Sequence, residues 1–250
     1  CCTIRGDLVE TLRSLYRRRI TREIPPFRRL VIETTGLADP APILQTLMSD
    51  PLLVERFRLD GVITTVDAAN GEATLDAQIE SVKQAAMADR LLLTKCDLVD
   101  QDRIDALTQR LAQLNPAAPI LQVENGKTEP SSLFGCGLYD PASKSLDVQR
   151  WLKAEAYEHG EEHGHGHEHH HDVNRHDERV RSFCVTYDVP MDWDRLNAWV
   201  DMLITLYGQQ ILRIKGILCI AGEEKPLVIH AVQHVFHPEA EGPNQQQYEA

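Results

Sequence analysis

The chain has 250 residues, 42% of them hydrophobic, enough to bury a real core and to suggest two domains. A formal net charge of -12, from 26 basic and 38 acidic residues, argues against a nucleic-acid partner. No apolar run approaches bilayer length, no charged-then-apolar leader opens the sequence, and the six cysteines show no disulfide-framework spacing. The expectation is a cytoplasmic protein in a reducing compartment, with no membrane partner.

In chain order, Asp7 to Ile20 reads as an amphipathic helix with Leu8, Leu12 and Leu15 on one face. Its basic end, Arg17-Arg18-Arg19, suits a helix C-terminus and a solvated surface. Pro25-Pro26 ends it. Leu30-Val31-Ile32 is then an apolar run fit for a buried parallel strand, followed by Glu33 and, three residues on, Gly36. Ligands of open α/β sheets lie beyond the strands' carboxyl ends. An acid there can hold a Mg²⁺ water, and a glycine amide can approach a terminal phosphate closely. Such a loop can sense whether that phosphate is present. Alone, without the downstream motif, Glu33 reads better as a strand-end acid facing solvent.

Pro40 to Met48 predicts a helix entered through prolines, Gly61 to Asp67 a β-branched strand, and Leu75 to Ala88 a helix. Arg90 to Thr94 predicts a buried strand that runs into Thr94-Lys95-Cys96-Asp97. An aspartate at this place can accept from both the ring N–H and the exocyclic amine of guanine, and the lysine stem can lie along the purine. Adenine lacks that donor pair, so it would leave the carboxylate unsatisfied. Thr-Lys-x-Asp is a weak pattern by itself and a strong one after a strand and downstream of Glu-x-x-Gly. Cys96, at its variable position, reads as a packing thiol. A helix over Arg103 to Leu114 and a strand over Ile120 to Val123 complete the alternation, which implies a parallel sheet with helices on both faces.

An irregular stretch from Thr128 to Ala142 leads to a short helix near Trp151 and then to a low-complexity tract over 158–176. Eight of the 11 histidines fall between His159 and His176, interleaved with acids and glycine. Val180 to Val189 predicts a strand, Asp192 to Tyr207 a capped helix, and Ile211 to Ile220 and Leu227 to Phe236 two more strands. On this pattern His230 and His234 share one strand face and read as packing residues.

With these residues in place, the chain resembles the CobW-type P-loop GTPases that handle metal ions. Glu33-Thr34-Thr35-Gly36-Leu37-Ala38-Asp39-Pro40, Thr94-Lys95-Cys96-Asp97 and the opening Cys1-Cys2-Thr3-Ile4-Arg5-Gly6-Asp7-Leu8 carry the resemblance, which runs from Cys1 to about His237. The family's opening motif is Gly-Cys-x-Cys-Cys, of which Cys1-Cys2 would be the tail. Its phosphate-binding loop, Gly-x-x-Gly-x-Gly-Lys-Thr, does not occur here, and its last strand and helix give way to a polar run from Gly242. The expectation is a fragment of a longer protein, itself inactive as a GTPase. Thr94 departs from the family's commoner asparagine, which weakens the brace on the phosphate loop. Glu124 to Lys127 would lie near the base edge, where family members use backbone amides.

The resemblance implies an α/β fold: a P-loop-GTPase-type parallel sheet with helices on both faces, plus a small α+β C-terminal domain. The expected division is a truncated GTPase domain over 1–127, a linker with the histidine tract over 128–179, a C-terminal domain over 180–237 and a polar tail over 238–250. Glu33 and Gly36 take the catalytic, phosphate-sensing role with Mg²⁺, while Thr94, Lys95 and Asp97 bind GTP.

Metal ligands are a separate matter. On residues alone, Cys1-Cys2 is either a pair of packing thiols or half of a tetrahedral zinc site; the resemblance favours the metal. In the tract, His159, His163, His165, His167, His169, His170 and His171 supply neutral imidazoles suited to transition metals, and the neighbouring acids concentrate cations. A polar, pH-sensitive linker is the alternative, with metal capture the favoured reading. An added tag does not fit an internal run broken by Glu and Gly. The implied function is a GTP-dependent metal chaperone or insertase, with zinc preferred over cobalt, delivering to an unidentified client. The alternative is a non-catalytic metal buffer or client-docking module, and an upstream phosphate-binding loop would separate the two.

Overall fold

The computed structural model describes residues 2–136, 180–224 and 226–237, with the side chains of 2–5, 236 and 237 excepted. Cys1 and the whole histidine tract lie outside these residues, as does the expected helix near Trp151. The chain forms two compact units. One takes in Gly36–Ala38 and Asp60–Thr186; the other takes in Cys1–Thr35, Asp39–Leu59 and Tyr187–Ala250.

The first unit is an α/β layer. Strands β1 (Ile63–Asp67), β2 (Arg90–Thr94) and β3 (Ile120–Val123) run parallel in the order β1-β2-β3. The register sets Asp67 beside Thr94 and Thr94 beside Val123, so all three strands end at one edge. Helices α4 (Gly71–Ala77), α5 (Ile79–Met87) and α6 (Gln101–Leu114) make the crossovers. Asp100 caps α6 by accepting from the Arg103 N–H at 3.0 Å, and Ile104, Leu107, Leu111 and Leu114 then fall on one buried stripe. That stripe meets Leu91 and Leu93 of β2 and Val82 and Ala85 of α5. Leu91, Leu93, Leu107 and Leu111 are wholly inaccessible, each contributing roughly 2–3 kcal/mol by burial. Asn115, just past α6, sends its side-chain amide to the carbonyls of Ala85, Ala86 and Ala88, which end α5. Gly71 opens α4 where a Cβ would stand 2.9 Å from Val66 Cγ1 and 3.0 Å from Leu107 Cδ2.

One expectation changes here. The helix over Leu75 to Ala88 is two helices, broken at Gln78, whose backbone is extended. Leu75 and Val82 are both buried, so the hydrophobic period runs through the break and hides it. After β3, Glu124 bridges to Lys127 across Asn125 and Gly126, both with positive φ, a tight Asn-Gly turn.

In the second unit, α1 (Cys2–Ile20) packs on α2 (Pro40–Ser49) and α3 (Pro51–Arg56). Asp39 caps α2 through the Ala41 N–H, as Pro40 at the first turn leads one to expect. Asp50 caps α3 through the Leu53 N–H and also takes an ion pair from Arg13 at 2.8 Å. The basic end of α1 closes on its own turn: Arg19 Nε donates to the Phe27 carbonyl, and its guanidinium stands over the Phe27 ring. A helix α7 (Trp193–Tyr207), capped by Asp192, precedes an antiparallel sheet of β4 (Ile214–Leu218), β5 (Leu227–Val232) and β6 (Val235–His237). Helix α2 packs against β5 and β6.

The apolar run Leu30-Val31-Ile32 is not a strand. Residues 29–35 carry neither helix nor ladder, and Val31 is 81% exposed. A strand is stabilised by the neighbour that takes its ladder bonds, and none of β1 to β3 pairs with this run. Val180 to Val189 likewise stays unpaired, with Phe183 and Val185 exposed. His230 is buried in β5, where Arg213 Nε donates to its Nε2, but His234 sits in the two-residue turn before β6. The two histidines therefore do not share a strand face. Among the described residues no helix is long and apolar enough to cross a membrane.

Candidate functional site

The carboxyl edge of the parallel sheet gathers the chemistry. Thr94 ends β2, and Lys95 follows in the left-handed region at φ 57°, unusual for a residue with a side chain. A short 3₁₀ turn, Cys96–Leu98, then presents Asp97. The bend is fastened to β1 on both sides: Ala68 N–H donates to the Thr94 carbonyl at 2.8 Å, and Thr94 Oγ1 donates to the Val66 carbonyl. Thr94's hydroxyl is thus engaged inside the sheet, and its place here is to hold the turn that carries Lys95.

Asp67, at the end of β1, is the centre of this edge. Its Oδ1 accepts from the N–H groups of Ala69 and Asn70, and its Oδ2 accepts from the Asn70 amide and from Lys95 Nζ at 2.7 Å. Partial burial raises the carboxyl pKa, but these donors, Lys95 first, outweigh it and bring it from 3.8 to about 2. The ion pair restrains the ammonium end of Lys95, leaving a stem that is half in solvent. Asp97 is exposed and, among the described residues, has no hydrogen-bond or ion-pair partner, so both its oxygens remain available as acceptors.

Cys96 faces inward, buried, with its thiol donating to the Leu93 carbonyl. Burial, then the charges of Asp97 and Glu124, push this thiol's pKa up, which makes it a packing group rather than a nucleophile. Val123 pairs with Thr94, so the Glu124 turn leaves the sheet next to the Lys95–Asp97 bend.

Gly36 lies in a turn in the same unit, exposed, with open space where a Cβ would stand. Gln84 of α5 holds this turn, its amide donating to the carbonyls of Gly36 at 3.0 Å and Ala38 at 2.7 Å. Glu33 is exposed and, among the described residues, unpaired; a free hard-oxygen donor of this kind fits a Mg²⁺ water shell. Among the described residues, no three His, Cys, Asp or Glu side chains converge on a metal position. Cys2 starts α1 by its backbone, and the tract histidines fall outside the description.

Sequence reasoning passed over Asp67 and Gln84. Asp67 was findable, since it is a second acid at a strand's carboxyl end, like the role assigned to Glu33. Gln84 left no signal, because a polar residue on a helix surface is ordinary.

Residues 1–122 match the model for the CobW/HypB/UreG nucleotide-binding domain, and residues 180–250 match that for the cobalamin synthesis protein cobW C-terminal domain. The chain is 29% identical over 243 residues to the zinc chaperone YjiA of Escherichia coli, covering 97% of this chain and 70% of YjiA. It is 30% identical over 133 residues to zinc-regulated GTPase metalloprotein activator 1 of Schizosaccharomyces pombe, covering 53% of this chain and 31% of that protein. A crystal structure of Zn(II)-bound YjiA GTPase superposes with a TM-score of 0.61 at 28% identity, over 90% of this chain and 64% of the other. The chain thus spans about a third to seven tenths of the length of these relatives. With both of its domain models matched in order, over more than three quarters of the residues, the chain belongs to the CobW family.

Proposed function

We propose that this chain is part of a cytoplasmic, GTP-dependent metal chaperone that couples nucleotide hydrolysis to transfer of a metal ion, zinc before cobalt, to a client metalloprotein. The observation that carries this reading is the Lys95–Asp97 bend. It offers a carboxylate that is unpaired among the described residues, beside a restrained lysine stem at the carboxyl edge of a parallel sheet. Asp97 accepts from the two guanine donors, and the Lys95 stem lies against the purine. Gly36 meets the γ-phosphate, and Glu33 holds a water of the Mg²⁺ ion, which supplies charge neutralisation on the phosphates.

In this reading residues 1–127 form the nucleotide half, 128–179 the linker and 180–237 the small C-terminal domain. Cys1 and Cys2 hold the cargo ion near the switch, and the imidazoles of the 158–176 tract capture ions and pass them on. Loss of the γ-phosphate releases the Gly36 turn, alters the cysteine site and frees the ion. The names of the relatives, a zinc chaperone and a zinc-regulated GTPase metalloprotein activator, support zinc as the cargo.

The test is Asp97→Asn in the full-length protein. The amide cannot accept from both guanine donors, so the preference for GTP over ATP should disappear. Retention of the wild-type ratio would remove Asp97 as the base reader.

A further inference from the structure

Gln84 links the Gly36 turn to the sheet, and nothing in the proposed cycle yet uses it. Its side chain spans two carbonyls, Gly36 at 3.0 Å and Ala38 at 2.7 Å, one on each side of Leu37. Leu37 itself is 55% exposed, so burial of its side chain does little to hold the turn in place. The mount behind Gln84 is stiff. Thr64 Oγ1, on β1, donates to the Gln84 backbone carbonyl at 2.9 Å, and the flanking Val82 and Ala85 are buried in the core. Three residues beyond Thr64 stands Asp67, the partner of Lys95. One amide therefore ties the exposed turn to the strand whose end restrains the base-reading lysine.

We propose that Gln84 is a positioning residue for phosphate sensing: by holding the Gly36 and Ala38 carbonyls, it keeps the Gly36 turn presented to a terminal phosphate and couples that turn to α5 and β1. The proposal rests on the reading of Gly36 as the γ-phosphate contact. Without the two bonds, the turn must be ordered when the phosphate arrives, and that ordering cost falls on GTP alone. GDP has no γ-phosphate for Gly36 to meet, so its affinity is indifferent to the latch. Two hydrogen bonds of ordinary net strength correspond to roughly a tenfold effect or somewhat more.

The test uses Gln84→Met, which keeps length and helix propensity but removes both donors, and Gln84→Glu, which turns a carboxylate toward the two carbonyls. The first measurement is backbone nitrogen-15 relaxation on the 250-residue chain. Order parameters at Gly36, Leu37 and Ala38 should fall below about 0.6 in both variants, while those of β1 and β2 stay unchanged. Unchanged order parameters at 36–38 overturn the latch. The second measurement, on the full-length protein, is the affinity for a non-hydrolysable GTP analogue relative to GDP. That ratio should fall about tenfold with GDP affinity preserved. Lower order parameters with an unchanged ratio overturn the positioning role and leave Gln84 a purely structural clip. If the wild-type protein itself does not distinguish the analogue from GDP, the γ-phosphate reading of Gly36 fails and takes the nucleotide half of this proposal with it, while the relaxation result still judges the latch.

Discussion

Replacing Asp67 with asparagine isolates the charge at the sheet's carboxyl edge. Asn keeps one acceptor for the N–H groups of Ala69 and Asn70, so the turn after β1 survives. It loses the partner of Lys95 and sets an amide donor where Lys95 Nζ and the Asn70 amide also donate. A carboxyl brought from 3.8 to about 2 corresponds to roughly 2.5 kcal/mol if fully realised. Asp67 is 26% exposed and Lys95 55%, so solvent screening reduces this to about 1 kcal/mol. The sign follows from a depressed folded-state pKa. The contribution is complete above the unfolded value of 3.8 and is lost as pH falls through about 2. Urea unfolding of wild type and Asp67→Asn, followed by circular dichroism at pH 6, 4, 3 and 2, should show a gap of about 1 kcal/mol that closes across the acid range and narrows in high salt. A gap of constant size from pH 6 to pH 2 would refute the argument, because it would mean that shape or turn geometry, and not the ion pair, accounts for the loss.

Asn115→Leu should destabilise the first unit by about 2 kcal/mol in the same assay at neutral pH, since the Ala88 carbonyl is buried and loses the side-chain donor, as does the part-buried Ala86 carbonyl, while the Ala85 carbonyl keeps the Ala88 N–H; a change under about 0.5 kcal/mol would show that water replaces it. Calorimetric titration of Zn²⁺ into the chain with and without residues 158–176 should show a clear drop in stoichiometry on deletion, and uptake by the intact chain should fall as pH drops through roughly 6.5, where imidazole protonates. Equal stoichiometry would reduce the tract to a linker.

The local decisions of this fold were open in the sequence. Asp100 before an Ile104-Leu107-Leu111-Leu114 stripe specifies α6 with its cap, and Asp192 does the same for α7. Leu91-Leu92-Leu93 declares a buried strand because both faces of a parallel sheet are covered at its centre, and Ile120-Leu121 marks the half-buried strand beside it. Thr94-Lys95-Cys96-Asp97 was legible as a strand-end bend and a candidate base reader because its meaning comes from following such a strand. Hydrophobic pattern reports burial averaged along a few residues; it carries no record of which backbone lies alongside. That is why Leu30-Val31-Ile32 reads as a strand yet finds no ladder, and why the period passes unbroken over the bend at Gln78. The same limit hid the site's supports. Asp67 and Lys95 are 28 residues apart, Gln84 and Gly36 are 48 apart, and only the parallel register of β1 with β2 and the seating of α5 bring each pair within hydrogen-bond distance. Composition and local spacing thus determined which groups could bind a nucleotide and a metal ion. Tertiary structure decided which partners hold those groups still, because a hydrogen bond depends on distance in space and not on distance along the chain.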